Sequence, residues 1–394
     1  MATPGSASNE LPTDPLKIGL LLDFSGPLAE YGLQLRTGFE LAIKQINEAG
    51  GVWGMPVEGV TGDTALDPTT AVEEARRLIE IERVHGIVGP MSSAMALAVS
   101  ESVSAPGRIP TISPVATSSQ ITVAEDDDFL FRVSLADRVE GQHLAELTRR
   151  QGFDNVGLLY RDDAFGHGMA TAFEEHFAGT VMAIAVSPGG TSFTAELEQS
   201  IEFGPQALVV VAFPSETILI VREALELGYY EQFVFGAPAR SSAVSEAIGP
   251  QLLAGMRGTY VAALPANPSS DAWTDAYLEE YGELPRLAYV KETYDATIAL
   301  ALAAEAARSA DGGAIRDQLR PIGSAPGSVV IAHPDSLAEG LTALVDGGDV
   351  DYEGAAGTLD WDEHGDITHG YIGVWEFAED GSIRDVELLE FVAD

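Results

Sequence analysis

Near its start the chain reads KIGLLL at residues 17–22, an apolar run with the length of one buried β-strand. Residues 37–49 follow, and their apolar side chains from Phe39 to Ile46 recur at helical spacing, which predicts an amphipathic helix. A strand followed by a helix is the repeating unit of α/β folds. This opening unit decides the fold class if it recurs along the chain.

The strand–helix unit recurs up to residue 236. We expect further strands at residues 55–60, 85–89, 109–113, 155–160, 181–186, 207–213 and 233–236. We expect helices at residues 68–82, 92–103, 139–151, 168–177, 194–203 and 216–227. Such alternation predicts parallel sheets with helices on both faces, and its restart after about residue 138 indicates two doubly wound lobes.

A single (β/α)8 barrel is the rival architecture for a chain of 394 residues. The end of the chain favours two lobes instead. Residues 357–393 contain strand-like runs separated by turns at 363–366 and 380–381, with no helix of their own. They predict an added β-hairpin, preceded by an alanine-rich helix at residues 293–309.

The charge of the chain excludes several classes of partner. With 61 acidic and 21 basic residues, the formal net charge is −40, which argues against nucleic acid and against an anionic membrane surface. A solvated acidic surface in a salty exterior and a codon bias against lysine both explain this composition. Cysteine is absent, so disulfides, thiolate metal sites and cysteine nucleophiles are excluded.

The longest apolar runs, such as residues 207–213, have the length of strands. None approaches the ~20 residues that a membrane-spanning helix needs. The polar residues 1–15 are expected to form a disordered stalk, left after removal of a leader and addition of a start methionine.

The sequence contains none of the common catalytic, metal-binding or cofactor-binding motifs. The chain lacks a Gly-x-Ser-x-Gly elbow, a Gly-x-x-x-x-Gly-Lys phosphate loop and a His-Glu-x-x-His pair. Residues 360–365 are similar to the start of a calcium loop, but Tyr371 stands where the closing glutamate should be. We therefore predict neither an enzyme nor a cofactor.

Ligands of open parallel sheets bind beyond the carboxyl ends of the strands. Two serine-rich loops, residues 90–93 and 114–119, follow neighbouring predicted strands and bring Ser92 and Thr117 to one sheet edge. A single serine at a helix start is usually only an N-cap, but two adjacent hydroxyls can hold an oxyanion together. Hydrogen bonds to a charged group contribute about 1.5–3 kcal/mol each, whereas surface repulsion is screened over ~8 Å.

Six motifs occur in order along the chain. They read SGPLAEYG at 25–32, INEAGGV at 46–52, GPMSS at 89–93, ISPVAT at 112–117, DDAFGHG at 162–168 and LDWDEHGD at 359–366. Together they resemble the branched-chain amino-acid (Leu/Ile/Val) binding proteins, which are type I periplasmic binding proteins of ABC importers. The resemblance covers nearly the whole chain, although each motif alone is weak.

The resemblance implies two α/β lobes joined by three crossovers, with the ligand between them. The crossovers would lie near residues 134–138, 261–264 and 355–359. The first lobe would comprise residues 16–134 plus 265–355, and the second lobe residues 135–264 plus 356–394.

The resemblance also implies roles for side chains. Ser92, Thr117 and the backbone near Val115 would hold a ligand carboxylate. Tyr31 would cover the ligand from the first lobe, and ordinary core packing is the alternative for it and for the other aromatic residues. The complete predicted ligand site is Ser92, Thr117, Val115, Met91, Ser93, Tyr31, Phe165, Phe213, Pro238, Arg240 and Tyr289.

One departure from the family pattern concerns the ligand amine. Amino-acid-binding relatives carry an acid after the strand at 233–236, where this chain has Pro238. A buried ammonium without an anion is costly, so either another acid substitutes or the ligand has no ammonium. The candidate acids are Glu216, Asp163 and Glu292. In the second case Arg240 and Lys291, if they face the cleft, would suit a second carboxylate or a phenolate.

The implied function is that of a monomeric, extracytoplasmic solute-binding protein, periplasmic or extracellular, with a lipid anchor on a removed N-terminal segment as one form of attachment. It would deliver a small carboxylate, either an amino acid or an aromatic or keto acid, to the permease subunits of an ABC importer. A ligand-sensing ectodomain is the alternative, and an enzyme on the same scaffold is a third reading.

Overall fold

The computed structural model describes residues 11–264 and 267–393, and its first lobe is built on a five-stranded parallel sheet. The strands are β1 (Lys17–Leu22), β2 (Glu58–Asp63), β3 (Gly86–Val88), β4 (Thr111–Ser113) and β5 (Leu130–Arg132), in the order β2-β1-β3-β4-β5. The helices between them are α1 (Ala29–Glu48), α2 (Pro68–Arg76), α3 (Ser93–Val99) and α4 (Ser119–Thr122). Residues 1–10 of the predicted stalk lie outside the described residues.

The chain then forms the second lobe. Its helices are α5 (Asp137–Arg150), α6 (Ala164–His176), α7 (Thr194–Ser200), α8 (Pro214–Glu226), α9 (Ser242–Ile248) and α10 (Pro250–Leu253). They alternate with the strands β6 (Asn155–Arg161), β7 (Thr180–Val186), β8 (Ala207–Val211), β9 (Phe233–Phe235) and β10 (Arg257–Ala262). Strand β8 is buried along its whole length, as expected for a strand covered by helices on both faces.

The next segment returns to the first lobe. It contains α11 (Pro268–Tyr281), α12 (Val290–Ala307), α13 (Gly312–Ile322), β11 (Ser328–Ile331), α14 (Pro334–Val345) and β12 (Val350–Glu353). Helix α12 packs on α1 and on strands β3 and β4. A Cβ on Gly38 of α1 would stand 2.2 Å from the Val290 carbonyl oxygen, so a glycine permits this close contact. Strands β11 and β12 form a small parallel sheet.

A hairpin of β13 (His369–Phe377) and β14 (Ile383–Val392) completes the second lobe. Strand β13 runs antiparallel to β10, which gives the seven-stranded order β14-β13-β10-β9-β8-β6-β7. The predicted hairpin is therefore confirmed. Two separate open sheets exclude the barrel, and the predicted α/β fold of two doubly wound lobes is correct, although the hairpin makes the second sheet mixed.

The chain passes between the two sheets after β5, after β10 and after β12. We retain 16–134 plus 265–355 and 135–264 plus 356–394 as the proposed lobe boundaries, of which residues 265, 266 and 394 lie outside the described residues. Within the described part of the chain, no helix is both long and apolar enough to cross a bilayer.

Some predicted elements are shifted in the structure. The second strand begins at Glu58 rather than at residue 55, because Val52 and Met55 first pair with each other in a tight turn. The first helix begins at Ala29, eight residues before the predicted start, and so includes part of the 25–32 motif. The sequence analysis did not predict β5, β10, β11, β12, α9, α10, α11, α13 or α14.

A buried ion pair joins the first crossing to the third. The Arg132 guanidinium at the end of β5 donates from Nε to Asp366 Oδ1 (2.6 Å) and from Nη2 to Asp366 Oδ2 (2.7 Å). Arg132 is 0 % exposed and Asp366 3 % exposed. The Trp361 indole donates to the Arg132 carbonyl oxygen at 2.8 Å. This bidentate pair fixes the connection before β13 against the edge strand of the first lobe.

Replacing Arg132 by leucine should lower the free energy of unfolding by about 3–5 kcal/mol, because Asp366 is then left as a buried charge without its cation. Urea unfolding followed by circular dichroism measures the change. Arg36→Leu is the control, since Arg36 pairs with Glu40 at 3.3 Å on the exposed face of α1 and should cost less than about 0.5 kcal/mol. Equal losses for the two variants would contradict a structural role for the buried pair.

Candidate functional site

A cavity of about 750 Å³, counting the part open to solvent, lies between the two lobes. All eleven residues of the predicted ligand site line it. From the first lobe and its returning segment these are Tyr31, Met91, Ser92, Ser93, Val115, Thr117 and Tyr289, and from the second lobe Phe165, Phe213, Pro238 and Arg240. The structure adds five residues that the sequence analysis missed, namely Leu28, Glu140, Ala237, Tyr260 and Ala288.

The loop at residues 90–93 is shaped by the glycine that precedes it. Gly89 has a φ of 113°, and a Cβ there would stand 2.0 Å from the Leu21 carbonyl oxygen. Only glycine fits this position. The loop then ends at Ser92, which is the N-cap of α3, with a long 3.5 Å contact from the Met95 N–H to its hydroxyl oxygen. A bond this long holds the hydroxyl only weakly.

Two serine side chains join this loop to the loop at residues 114–119. Ser113 Oγ donates to the Pro90 carbonyl oxygen (2.7 Å) and accepts from the Ala116 N–H (2.9 Å). Ser93 Oγ accepts from the N–H groups of Thr117 (3.2 Å) and Ser118 (3.1 Å). Ser93 therefore positions the second loop, which leaves the buried hydroxyls of Ser92 and Thr117 at the cavity wall.

Asp137 lies next to Thr117 at the start of α5. Its N–H donates to the Thr117 carbonyl oxygen at 2.7 Å, and its side chain is 0 % exposed. Burial raises the pKa of the Asp137 carboxyl well above its usual range, with the Thr117 hydroxyl as the main opposing influence. The neutral form is thereby favoured, so this acid places little negative charge beside the two hydroxyls.

Aromatic rings form the facing wall. Phe165 and Phe213 stack with centroids 5.8 Å apart, and the Arg161 guanidinium lies 4.4 Å from the Phe213 centroid. Tyr31 and Tyr289 cover the cavity from the first lobe, and burial raises the pKa of Tyr31 to about 12. Both tyrosines thus stay neutral at physiological pH.

The two lobes touch each other next to the lining residues Thr117 and Phe165. The Ser118 hydroxyl donates to the carbonyl oxygen of Ala164, the first residue of α6, at 2.8 Å. Helices α3 and α4 also contact α6. The structure therefore shows the lobes in a closed arrangement, with the cavity enclosed between them.

The acids that could replace the missing carboxylate at Pro238 do not line the cavity. Arg161 binds two of them, Asp163 at 2.6 Å and Glu216 through a short contact. Glu292 is buried behind the cavity. Of the two cations considered, Arg240 lines the cavity, whereas Lys291 donates to Ser270 outside it.

Two other residues of the second lobe, Asp385 and Tyr260, hold the Arg240 side chain in place. Its Nη2 donates to Asp385 of β14 at 3.0 Å, and its guanidinium lies 4.3 Å from the Tyr260 centroid. A stacked and ion-paired guanidinium can close one side of the cavity while it keeps its charge.

Glu140 is the acid that the sequence analysis missed. It lies on α5, is 1 % exposed, and accepts from the Ala237 N–H (3.0 Å) and the Thr259 hydroxyl (3.1 Å) through Oε1. Burial raises its pKa to about 7, against the opposing effect of these two hydrogen bonds. The available signal was a glutamate on the apolar face of the predicted helix, next to Val139 and Leu144.

The described residues place no three His, Asp or Glu side chains where they could hold a metal ion together. The cavity instead presents the hydroxyls of Ser92 and Thr117, the aromatic rings of its walls and the carboxyl group of Glu140.

Comparison with known proteins identifies the family. The family described as periplasmic binding protein matches residues 15–338. This chain belongs to that family. Together with the relatives below, the match makes it a type I periplasmic binding protein of the branched-chain amino-acid group, a class of solute-binding proteins. One relative, the leucine-, isoleucine-, valine-, threonine- and alanine-binding protein of Pseudomonas aeruginosa, is 27 % identical over 392 residues, which is 98 % of this chain and 96 % of the relative.

Solved structures of this family have the same fold. The leucine binding protein LivK from Thermotoga maritima matches with a TM-score of 0.80 and 25 % identity, over 95 % of this chain and 98 % of that one. A solute binding protein from R. palustris in complex with benzoate matches with a TM-score of 0.74 and 21 % identity, over 97 % and 98 % of the two chains.

The raised pKa of Glu140 predicts a pH-dependent effect of Glu140→Gln on stability. The folded state holds this proton more tightly than the unfolded state, whose carboxyl has the ordinary pKa of 4.5. The wild type should therefore lose up to about 3 kcal/mol of stability from this group as the pH rises from 4.5 to 8, and the variant should not. Urea unfolding of both proteins across this range measures the difference. A stability difference between wild type and Glu140→Gln that does not change with pH would contradict the assignment. So would an equal pH-dependent difference between wild type and the exposed control Glu146→Gln, which should follow the wild type.

Proposed function

We propose that the protein is the extracytoplasmic solute-binding subunit of an ABC importer and that it binds a small organic carboxylate between its lobes. The observation that carries this proposal is the placement of Ser92 and Thr117. Their buried hydroxyls lie on two cross-linked loops at the carboxyl ends of adjacent strands, in a cavity whose lining is otherwise apolar or aromatic except for Ser93, Glu140 and Arg240.

The carboxylate would lie between the two hydroxyls. Ser92 and Thr117 would donate to its oxygens, with backbone N–H groups near Val115 as further donors. Hydrogen bonds to a charged acceptor are worth about 1.5–3 kcal/mol each. The apolar remainder of the ligand would then pack against Phe165 and Phe213, whose rings lie on the opposite lobe.

The names of the relatives support a carboxylate ligand. The Pseudomonas protein is named for five amino acids, and the R. palustris structure contains benzoate. Both ligand classes carry a carboxylate, and only the amino acids carry an amine. What they share matches the end of the cavity at which Ser92 and Thr117 lie.

Transport would couple to closure of the lobes. Residues from both lobes line the cavity, so only the closed form contacts the ligand on all sides, and the ligand shifts the equilibrium towards it. The permease subunits would then recognise the closed form from outside the cytoplasm, as expected for this family.

Replacing both Ser92 and Thr117 by alanine should weaken ligand binding at least tenfold, since two charge-assisted hydrogen bonds are lost. Mass spectrometry of small molecules released from the denatured protein, followed by a thermal-shift screen of amino acids and aromatic and keto acids, supplies the ligand. Titration calorimetry then compares the variant with Ser309→Ala plus Thr342→Ala, two positions remote from the cavity. Equal affinity of all three proteins would refute the proposed carboxylate site.

Saturating ligand should make the protein more compact in solution. The reason is that the Ser118–Ala164 contact across the cavity forms only when the lobes close. Small-angle X-ray scattering with and without ligand, at concentrations where calorimetry shows full occupancy, measures the radius of gyration. An unchanged radius at full occupancy would rule out ligand-driven closure.

A further inference from the structure

Glu140 is anchored at the cavity wall by only one of its two carboxylate oxygens. Oε1 accepts from the Ala237 N–H and from the Thr259 hydroxyl. Oε2 is buried, and no described residue hydrogen bonds to it. A buried carboxylate oxygen without a donor is costly and therefore rare. The unused oxygen belongs to a side chain that lines the cavity, so a ligand can supply the missing donor.

The described residues supply no cation to Glu140. The cation on the same cavity wall, Arg240, forms its ion pair with Asp385 and stacks on Tyr260. Lys291 donates to Ser270 outside the cavity. The remaining groups near Glu140 are Asp137 and Tyr289, and neither carries a positive charge. A positively charged ligand group would therefore complete this end of the site.

The spacing between the two ends of the cavity fits a compact zwitterion. The Asp137 N–H binds the Thr117 carbonyl oxygen, and Glu140 follows Asp137 by three residues on the same helix. Residues three apart lie on one helix face, about 4.5 Å apart along the axis. The carboxylate end at Thr117 and the free oxygen of Glu140 are thus separated by roughly one helical turn. That separation suits groups attached to a single carbon atom.

We propose that Glu140 binds the ligand ammonium and that the ligand is an α-amino acid with an apolar side chain. The proposal rests on the proposed function, because it uses the carboxylate site at Ser92 and Thr117. Glu140 would thereby take the role of the acid that amino-acid-binding relatives carry where this chain has Pro238. It lies against the same turn, because its Oε1 accepts from the Ala237 N–H. Leu28, Val115, Phe165, Phe213 and Ala288 provide the apolar surroundings of the side chain.

The test uses pairs of ligands that differ only in the amine. L-Leucine is compared with 4-methylpentanoate, and L-phenylalanine with 3-phenylpropanoate, by titration calorimetry. The wild type should bind the amino acid of the preferred pair at least tenfold more tightly than the deamino acid. Glu140→Gln should lower the amino-acid affinity at least tenfold and leave the deamino acid within about twofold, because the glutamine keeps the shape and loses the charge.

Glu146→Gln is the matched control, since Glu146 lies on the exposed side of the same helix. It should change neither affinity. Circular dichroism and the melting temperature establish that both variants are folded before titration.

A proton count adds a measurement that a merely structural role would not affect. Burial raises the pKa of Glu140 to about 7, so a fraction of the free wild type carries a proton there near pH 7, and an ammonium beside Glu140 would expel it. Titrations in buffers of different ionisation enthalpy should show net proton release when the wild type binds the amino acid, and none when Glu140→Gln binds it. The other titratable or charged groups around Glu140 are Asp137, Arg240, Tyr260 and Tyr289. They are unchanged in the variant.

The outcomes separate this inference from the proposed function. If the wild type binds a deamino acid as tightly as its amino acid, or if Glu140→Gln binds the amino acid unchanged, the carboxylate site stands and the role of Glu140 is refuted. If no amino acid and no deamino acid binds to the wild type, both proposals fall together.

Discussion

The proposed ligand site depends on the ion pair between Arg132 and Asp366. This pair links the chain at the first crossing between the lobes to the chain at the third crossing. The Arg132 guanidinium also donates from Nη1 to the Ser118 carbonyl oxygen at 2.9 Å. Ser118 belongs to the loop that presents Thr117, and its hydroxyl reaches the opposite lobe at Ala164. One buried cation therefore links the first and third crossings, the loop at residues 114–119 that is proposed to bind a carboxylate, and the contact between the lobes. Its desolvation is offset by four hydrogen bonds, two to Asp366, one to the Ser118 carbonyl oxygen and one to the Thr122 hydroxyl, rather than by the carboxylate alone.

The cavity can attract an anion although the chain carries a net charge of −40. The buried acid in its wall, Glu140, and the buried Asp137 beside Thr117 have raised pKa values because burial disfavours their charged forms. Exposed carboxylates elsewhere are screened by salt over a distance of ~8 Å. Local donors therefore set the potential that a ligand carboxylate meets, and the acidic surface contributes mainly to solubility.

The fold class and the proximity of Ser92 and Thr117 at the cavity could be predicted from sequence because both depend on local rules. Alternating strands and helices predict the sheets, and adjacent parallel strands bring Ser92 and Thr117 to one edge. Glu140 could not be found in this way, because its place at the cavity depends on how α5 packs against β10 after the first crossing. Strands β11 and β12, of four residues each, give too short a pattern to separate from loops.

The closing hairpin reaches the cavity through a single side chain. Asp385 lies on the edge strand β14 and holds Arg240, which forms part of the cavity wall. The outermost strand of the second sheet thus sets the orientation of a guanidinium in the wall of the interlobe cavity. A fluorophore or a circularly permuted reporter placed in the turn at residues 378–382 would sense occupancy through this connection. The same connection makes the hairpin a poor choice for an inert attachment point in biosensor engineering.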